Sequence, residues 1–272
     1  MNNLVKSAVY GFAIGDALGV PYEFKERDTF KCKDMIGHGT WDQPVGTWSD
    51  DTSMVLATIA AFRPNYVITL DSIMRNFSEW YHKGKFTPHG NCFDIGGTTR
   101  SAINNYDSGI NPSECGLISE YSNGNGGLMR ILPFAFFEYN EKFIDDVCAL
   151  THNTTRSKFA CETYVKICRS IIDDKFNLFD PYLNMINNMD RSDVKSTGYV
   201  LDSLVAALWS FLTTNNYEEC VLTAVNLGGD TDTIAALAGG LAGLYYGFDN
   251  IPKKWVDQLA NKDLIDSIID NF

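Results

Sequence analysis

The segment 227–247, which reads LGGDTDTIAALAGGLAGLYYG, limits the possible folds more than any other part of the sequence. Two glycines allow a sharp turn into a very apolar helix. Four oxygen-bearing side chains stand where that helix begins: Asp230, Thr231, Asp232 and Thr233. Capping a helix needs only one side-chain acceptor, whereas these four lie together at the positive end of the helix dipole. The segment therefore predicts a buried helix with a binding site at its N-terminus.

The segment 47–62, TWSDDTSMVLATIAAF, repeats this arrangement of hydroxyl and acidic side chains before an amphipathic helix. Ser49 is a natural N-cap, and Asp50 and Asp51 fall in the first turn. For this segment alone, capping is a sufficient explanation. Two such helix starts in one chain instead favour a shared site, in which four carboxylates could hold two divalent ions ~3.5 to 4 Å apart.

The donor types indicate which cation such a site would bind. Carboxylate and hydroxyl oxygens are hard ligands, which suit Mg²⁺, Mn²⁺ or Ca²⁺ rather than zinc. Side chains at i and i+2 of a helix point about 200° apart, so Asp230 and Asp232 can converge only if Asp230 precedes the first turn. An EF-hand loop is excluded, because its characteristic glycine and closing glutamate are absent.

Small residues recur at every fourth position in two predicted helices. The first stripe is Gly11, Gly15 and Gly19, and the second is Ala235, Gly239, Gly243 and Gly247. Such stripes let helix backbones approach closely. We therefore expect both helices to pack tightly against neighbouring helices. The two could also pack against each other.

Helical periodicity dominates the remaining chain, and alternating strand patterns are few. Helices are predicted at Leu4–Gly19, Ser157–Ile172, Tyr199–Leu212, Tyr217–Leu227 and Trp255–Ile269. The Asp- and Asn-rich stretch 173–197 is interpreted as an excursion within one domain. The fold prediction is an all-α bundle that forms a single domain over residues 1–272.

The composition of the chain argues against several classes of protein. A net charge of −12 argues against a protein that binds a nucleic-acid backbone. Seven cysteines without a C-x-x-C pair indicate a reducing, cytoplasmic compartment rather than a disulfide framework. The apolar run at 233–248 is shorter than the ~18 to 20 residues that a bilayer crossing needs, so no membrane association is expected.

The middle of the chain carries features typical of a substrate site. Asp94 precedes paired glycines and two threonines at a predicted helix start. The segment 121–133, YSNGNGGLMRILP, could form a main-chain nest for a diphosphate, or could simply be a flexible loop. Asp16 and Glu23 flank a Gly-Pro turn, which is more typical of a solvated loop than of a functional one. His152 alone would more often be a packing or hydrogen-bonding residue than a catalyst.

These features together resemble the ADP-ribosylglycohydrolase family. They occur in that family's order and approximate spacing: GDALG at 15–19, WSDDT at 48–52, DIGGTT at 94–99, SNGNGGLMR at 122–130, the Thr151–His152 pair and the 227–247 segment. The resemblance extends from about Ala8 to Trp255. It implies an orthogonal all-α bundle with two Mg²⁺ or Mn²⁺ ions at the base of a cleft for ADP-ribose.

The resemblance also implies roles for individual residues. The metal ligands would be Ser49, Asp50, Asp51, Asp230, Asp232 and Thr233. Glu23 would act near the scissile bond or gate the cleft, and Asp94 would lie near the anomeric carbon and the guanidinium. Glu23 or a metal-bound aspartate such as Asp232 would take the proton from water. The substrate would be bound by Asn123, Gly124, Asn125, Gly126, Gly127, Met129 and His152.

Two departures from the family pattern affect these expectations. Ser49 replaces a threonine found in many members, a mild change because a serine hydroxyl can coordinate in the same way. The segment THNTTR lacks the proline that often follows the Thr-His pair, which leaves the role of His152 open.

The expected function is a metal-dependent hydrolase, a monomer that releases ADP-ribose from modified proteins, most readily from arginine, or from a small ADP-ribosyl compound. One alternative is a non-catalytic ADP-ribose binder or structural protein on the same fold. The other is a metal hydrolase that cleaves the diphosphate or a phosphate ester.

Overall fold

The structure, a computed structural model, describes residues 2–62, 68–138, 140–177 and 180–272. In these ranges the chain forms twelve α-helices: α1 (Asn2–Gly19), α2 (Asp50–Ile59), α3 (Leu70–Lys83), α4 (Gly97–Asp107), α5 (Glu141–Cys148), α6 (Thr155–Ile172), α7 (Pro181–Asn187), α8 (Val200–Leu212), α9 (Tyr217–Val225), α10 (Thr231–Tyr246), α11 (Lys253–Gln258) and α12 (Lys262–Ile269). The same ranges contain isolated β-bridges but no strand. The all-α prediction is confirmed.

Helices α1 and α10 pack along each other at the centre of the fold, and α8 and α9 cover α10. Nearly all of α10 is buried, because its surface is apolar on every side. A Cβ atom at Gly11 would overlap the carbonyl oxygen of Gly239. A Cβ atom at Gly15 would likewise overlap the carbonyl oxygen of Ala235. The close packing predicted from the two stripes is confirmed, and the two helices are each other's partners.

The ends of the two stripes differ. A Cβ atom at Gly19 would overlap the backbone of Asp232, so the last turn of α1 lies directly against the first turn of α10. Gly247 does not belong to the packed stripe, and its inclusion there was wrong. It ends α10 with a positive φ of 85°, and a Cβ atom there would have no neighbour within 4 Å. Its conformation, not helix packing, explains the glycine.

The two predicted helix starts are capped differently. At α2 the Ser49 hydroxyl accepts a hydrogen bond from the backbone N–H of Asp51, so the predicted N-cap is confirmed. At α10 the N-cap residue is Asp230, and its side chain makes no capping hydrogen bond. Helix capping therefore explains why Ser49 precedes α2. It does not explain Asp230, whose carboxylate is available for another role.

The C-terminal region departs from the prediction. The segment Trp255–Ile269, predicted as one helix, forms α11 and α12. Asn261 separates them with a left-handed φ of 46°, and the backbone N–H of Ala260 donates to the Gly46 carbonyl, at 3.0 Å, instead of continuing a helix. Helices α3, α5 and α7 were not predicted. α7 lies within the 173–197 excursion and packs against α8.

All seven cysteines are free thiols, and six of them are buried. Within the described ranges, no helix combines the length and the apolarity needed to cross a membrane. The single domain, the monomeric state and the cytoplasmic compartment stay predictions.

Candidate active site

A cavity of about 260 Å³ lies where the N-terminal ends of α2, α4 and α10 meet the glycine-rich loop. Most of the residues predicted for the site line it: Glu23, Asp50, Asp51, Asp94, Gly124, Asn125, Gly126, Met129, His152, Asp230 and Thr233. Segments from six separate parts of the sequence therefore converge on one space.

The Asp51 carboxylate connects the two acidic helix starts. Its Oδ2 atom accepts a hydrogen bond from the Ser49 hydroxyl at 3.1 Å. The same oxygen accepts one from the Thr233 hydroxyl at 3.1 Å, across 182 positions of sequence. The convergence of residues near 50 with residues near 230, on which the metal-site hypothesis depends, is thus present in the structure.

The start of α10 is shaped by two glycines. Gly228 and Gly229 both have a φ of 73°, a conformation that few other residues adopt readily. This turn lets the Gly229 carbonyl accept a hydrogen bond from the backbone N–H of Phe24 at 2.7 Å. Asp230 follows, and its Oδ2 atom accepts from the Asn125 side-chain amide at 2.7 Å. The glycine turn therefore brings the Glu23 segment and the glycine-rich loop to the acids of α10.

Glu23 completes a group of three acids. One carboxylate oxygen from each of Glu23, Asp230 and Asp232 lies within 4.8 Å of the other two. The indole N–H of Trp41 donates to Glu23 Oε2 and fixes the direction of that side chain. Because Glu23 is only 5% exposed, its assignment to a solvated loop was wrong.

Asp16 was also wrongly assigned to a solvated loop. It lies inside α1 and is fully buried. Its Oδ1 accepts from the backbone N–H of Ser49 at 2.9 Å, and its Oδ2 accepts from the backbone N–H and the hydroxyl of Thr52 at 3.0 and 2.6 Å. Asp16 therefore holds the start of α2 from a neighbouring helix. The sequence contains one signal for this role, a single acid within an apolar helix. Burying a charged side chain costs free energy unless the side chain has partners.

Asp94 approaches the cavity from the segment before α4. Its φ of 56° is unusual for a non-glycine residue, and backbone strain of this kind is typical of functional sites. The first residues of α4 and the segment before it also line the cavity, namely Gly96, Gly97, Thr98 and Thr99. These four residues are not among those predicted for the site, although the DIGGTT motif contains them.

The buried acids have strongly altered proton affinities. Burial raises the pKa of Asp16 to about 6 and that of Glu23 to about 7. Burial, with the charges of Asp50 and Glu23, raises the pKa of Asp94 to about 11. Burial also raises the pKa values of Asp50, Asp51, Asp230 and Asp232. A bound positive charge would favour the ionised form of the carboxylates at this site.

The residues fit a divalent cation. Among the described residues, Asp51 Oδ1 and Asp232 Oδ2 are buried oxygens without a hydrogen-bond partner. A buried polar atom without a partner is costly, and coordination to a cation would supply the missing interaction. The surrounding donors are carboxylates and hydroxyls, the ligand types that Mg²⁺ and Mn²⁺ prefer.

This arrangement predicts an unusual pH dependence for the metal-free protein. An acid whose pKa is higher in the folded state binds more protons when folded, so its contribution to stability falls as pH rises from about 4 to about 7. For Asp16 alone, the raised pKa corresponds to a loss of about 3 kcal/mol in the free energy of unfolding over this pH range. We expect the melting temperature in EDTA to fall over this range, and Mn²⁺ or Mg²⁺ to raise it more at pH 7.5 than at pH 5.5.

The Asp232→Asn variant provides the control, because it removes one buried charge and one cation ligand. Its metal-free form should be more stable than the metal-free wild type at pH 7.5 and should gain less from added cation. Equal gains by the two proteins would contradict a cation site at Asp232.

The glycine-rich loop and His152 form the opposite wall. Residues Asn125–Gly127 form a 3-10 helix. A Cβ atom at Gly126 would lie 2.7 Å from Cε1 of the His152 ring, so no larger residue fits between the ring and the loop. The ring is 3% exposed and lines the cavity. The loop therefore packs against the His152 ring, and its residues Gly124, Asn125 and Gly126 line the cavity.

Two predicted substrate residues lie away from this cavity wall. The Asn123 side chain donates to the Glu120 carbonyl at 2.7 Å and accepts from the Thr154 hydroxyl at 2.7 Å, and it borders a separate cavity of about 340 Å³. Gly127 faces the Cys148 sulfur and the Cβ atom of His152. Ser49 and Asp232 lie behind the wall but contact residues that form it.

This chain is similar to known proteins both in sequence and in structure. Residues 2–272 match the family described as ADP-ribosylglycohydrolase. An ADP-ribosylarginine hydrolase, Tri1, of Serratia proteamaculans is 32% identical over 98% of this chain and 78% of its own length. The ADP-ribosyl-[dinitrogen reductase] glycohydrolase of Rhodospirillum rubrum is 30% identical over 94% of this chain and 90% of its own length. A solved structure titled ADP-ribosylglycohydrolase-related protein complex superposes with a TM-score of 0.82 at 28% identity, covering 98% of this chain and 96% of that one.

Proposed function

The chain belongs to the ADP-ribosylglycohydrolase family, and from this premise we propose that it hydrolyses the bond between ADP-ribose and an arginine side chain of a modified protein. The observation that carries the proposal is the meeting of two acidic helix starts at Asp51 and Thr233, below a cavity that also contains Glu23 and Asp94. Relatives with 30% or higher identity are named for hydrolysis of ADP-ribosylarginine or of ADP-ribosylated dinitrogen reductase.

Aromatic residues near the cavity support a guanidinium-bearing acceptor. Phe24 lines the cavity and is 67% exposed. Its ring lies 6.3 Å from that of Trp41, which lies 5.9 Å from that of Phe93. Glu23 and Asp94 adjoin this group in sequence. Aromatic faces beside carboxylates are the surroundings that a planar guanidinium prefers, through cation–π contact and ion pairing.

The acidic cluster would hold two divalent cations, Mg²⁺ or Mn²⁺. Their ligands would come from Ser49, Asp50, Asp51, Asp230, Asp232 and Thr233. When bound, these ions would supply Lewis-acid stabilisation of negative charge at the ribose hydroxyls. Asp16 would keep the α2 ligands in place through its hydrogen bonds to Ser49 and Thr52.

The chain's own side chains account for the proton transfers. Glu23 and Asp94 line the same cavity. With a pKa near neutrality, Glu23 can accept a proton from the attacking water as its oxygen bonds to the anomeric carbon. Asp94 would give a proton to the departing guanidine nitrogen as the C–N bond breaks. The products are ADP-ribose and unmodified arginine.

Product analysis tests this proposal directly. The full chain is incubated with an ADP-ribosylarginine protein and either Mg²⁺ or Mn²⁺, and the released nucleotide is identified by mass spectrometry. Free ADP-ribose is expected. Release of AMP would favour hydrolysis of the diphosphate, and binding of ADP-ribose without turnover would favour a non-catalytic binder. A parallel assay with a serine-linked acceptor measures the preference for arginine.

The aromatic group gives a prediction about acceptor preference. Phe24→Leu keeps an apolar side chain but removes the ring face, so a cation–π contact worth about 0.5 to 1 kcal/mol should be lost. We expect KM for an ADP-ribosylarginine substrate to rise about two- to fivefold, with KM for a serine-linked substrate unchanged. Phe159→Leu on α6, where Phe159 is 50% exposed and away from the cavity, is the matched control. Equal changes for both substrates would argue against guanidinium recognition by Phe24.

A further inference from the structure

Arg130 is an unexplained buried charge behind the glycine-rich loop. Its side chain is fully buried, and its guanidinium lies 4.8 Å from the centre of the Phe77 ring. In the part of the chain that the structure describes, its Nε and Nη1 atoms make no hydrogen bond. Its Nη2 atom donates to the Val147 carbonyl at 3.1 Å and to the Thr151 hydroxyl at 2.8 Å. Burying a guanidinium with so few partners is costly, which suggests a role beyond packing.

The hydrogen bonds of Thr151 determine where its proton lies. The Thr151 hydroxyl is completely buried, and its oxygen accepts from Arg130, which can only donate. Its own proton then needs an acceptor. Among the described residues, the group that lies close enough to accept it is Nδ1 of His152, at 2.9 Å. Thr151 therefore donates to Nδ1, and the neutral His152 ring carries its proton on Nε2.

The Nε2 edge of His152 faces the cavity wall formed by the loop. A Cβ atom at Gly124 would lie 3.5 Å from Nε2, and one at Gly126 would lie 3.3 Å from it. Nε2 makes no hydrogen bond to another group in the described ranges, whereas Nδ1 is occupied by Thr151. Burial and the charge of Arg130 lower the pKa of His152 to about 3, so the ring is neutral at physiological pH. The cavity thus receives one fixed N–H donor beside the main chain of the loop.

We propose that Arg130 and Thr151 are positioning residues that hold His152 as the Nε2–H tautomer, so that His152 donates a hydrogen bond to an oxygen of the ADP-ribose diphosphate. This inference rests on the proposed function for the identity of the ligand. His152 then serves as a fixed hydrogen-bond donor and takes no part in acid–base chemistry. The buried Arg130 charge also favours an anionic group on the other side of the loop.

The test compares Thr151→Val with Thr151→Ser in the full chain. Valine has nearly the shape of threonine but cannot donate to Nδ1, whereas serine keeps the hydroxyl. Nitrogen-15 NMR of His152, assigned with a His152→Phe variant, should show the Nε2–H tautomer in the wild type and in Thr151→Ser, and a changed tautomer population in Thr151→Val. Calorimetry with ADP-ribose should show about tenfold weaker binding by Thr151→Val and near wild-type binding by Thr151→Ser.

A double variant separates positioning from general destabilisation. In the His152→Phe background, Thr151→Val should cause no further loss of ADP-ribose affinity, since both changes remove the same donor. An Nδ1–H or protonated His152 in the wild type would overturn the proposal, as would unchanged affinity of Thr151→Val. The tautomer is measured without ligand and binding without turnover. A chain that shows the proposed tautomer and binds ADP-ribose but releases none would therefore refute the proposed hydrolysis and leave this inference standing.

Discussion

Asp232→Ala is expected to lower the rate of ADP-ribose release by about 10³-fold or more while the protein stays folded. Asp232 is 1% exposed, belongs to the acid group with Glu23 and Asp230, and has one carboxylate oxygen without a partner in the described residues. Its removal would take away one of the carboxylates proposed to hold the cations. The folded state loses one local hydrogen bond, from the backbone N–H of Thr233 at 3.0 Å, and also loses an unfavourable buried charge.

Asp263→Ala is the matched control for this variant. Asp263 also lies in the first turn of a helix, α12, but it is exposed. Its removal should leave turnover unchanged. Rates are measured at saturating substrate with Mg²⁺ or Mn²⁺, and circular dichroism melting checks the fold. EDTA should reproduce the loss in the wild type, and added cation should reverse it. Persistent turnover in Asp232→Ala, or in EDTA, would remove the cation from the reaction.

Gly15→Ala is expected to destabilise the protein by about 3 kcal/mol or more, which corresponds to a fall in melting temperature of roughly 10 °C. Its Cβ atom would overlap the Ala235 carbonyl oxygen, so α1 and α10 would have to separate. Both partners are helix backbone, which cannot move aside as a flexible side chain can. Gly15→Val should leave little folded protein.

Activity should fall together with stability in Gly15→Ala, because the same helix contact carries the site. The last turn of α1 lies against the backbone of Asp232, so a separation of the helices displaces that acid. Gly97→Ala is the control for stability, since a Cβ atom at Gly97, at the start of α4, would have no neighbour within 4 Å. It should be neutral or slightly stabilising. A Gly15→Ala protein as stable as the wild type would show that the helix packing is looser than described.

Features of the fold that depend on neighbouring residues can be predicted from sequence, whereas those that depend on distant contacts cannot. Ser49 as an N-cap and the glycine stripe through Gly15 were predicted correctly, because capping and helical periodicity depend on residues within a few positions of one another. Gly247 was misread because a glycine that ends a helix and one that packs inside it look the same in sequence. The break at Asn261 was missed because it depends on a backbone bond from Ala260 to a distant loop.

The helical class, the residue types at the two acidic helix starts and the small-residue stripes that join α1 to α10 can all be read from the amino-acid sequence. The hydrogen bond from Thr233 to Asp51 and the support that Asp16 gives to α2 arise only in the folded protein. The contact between the Thr151 hydroxyl and Nδ1 of His152 is likewise visible only in the folded protein. Local signals act over a few residues along the chain, whereas these contacts exist only after the packing of the helices has brought distant segments together. Burial then fixes the charge and the hydrogen-bonding role of each group, and neither can be read from its neighbours in sequence.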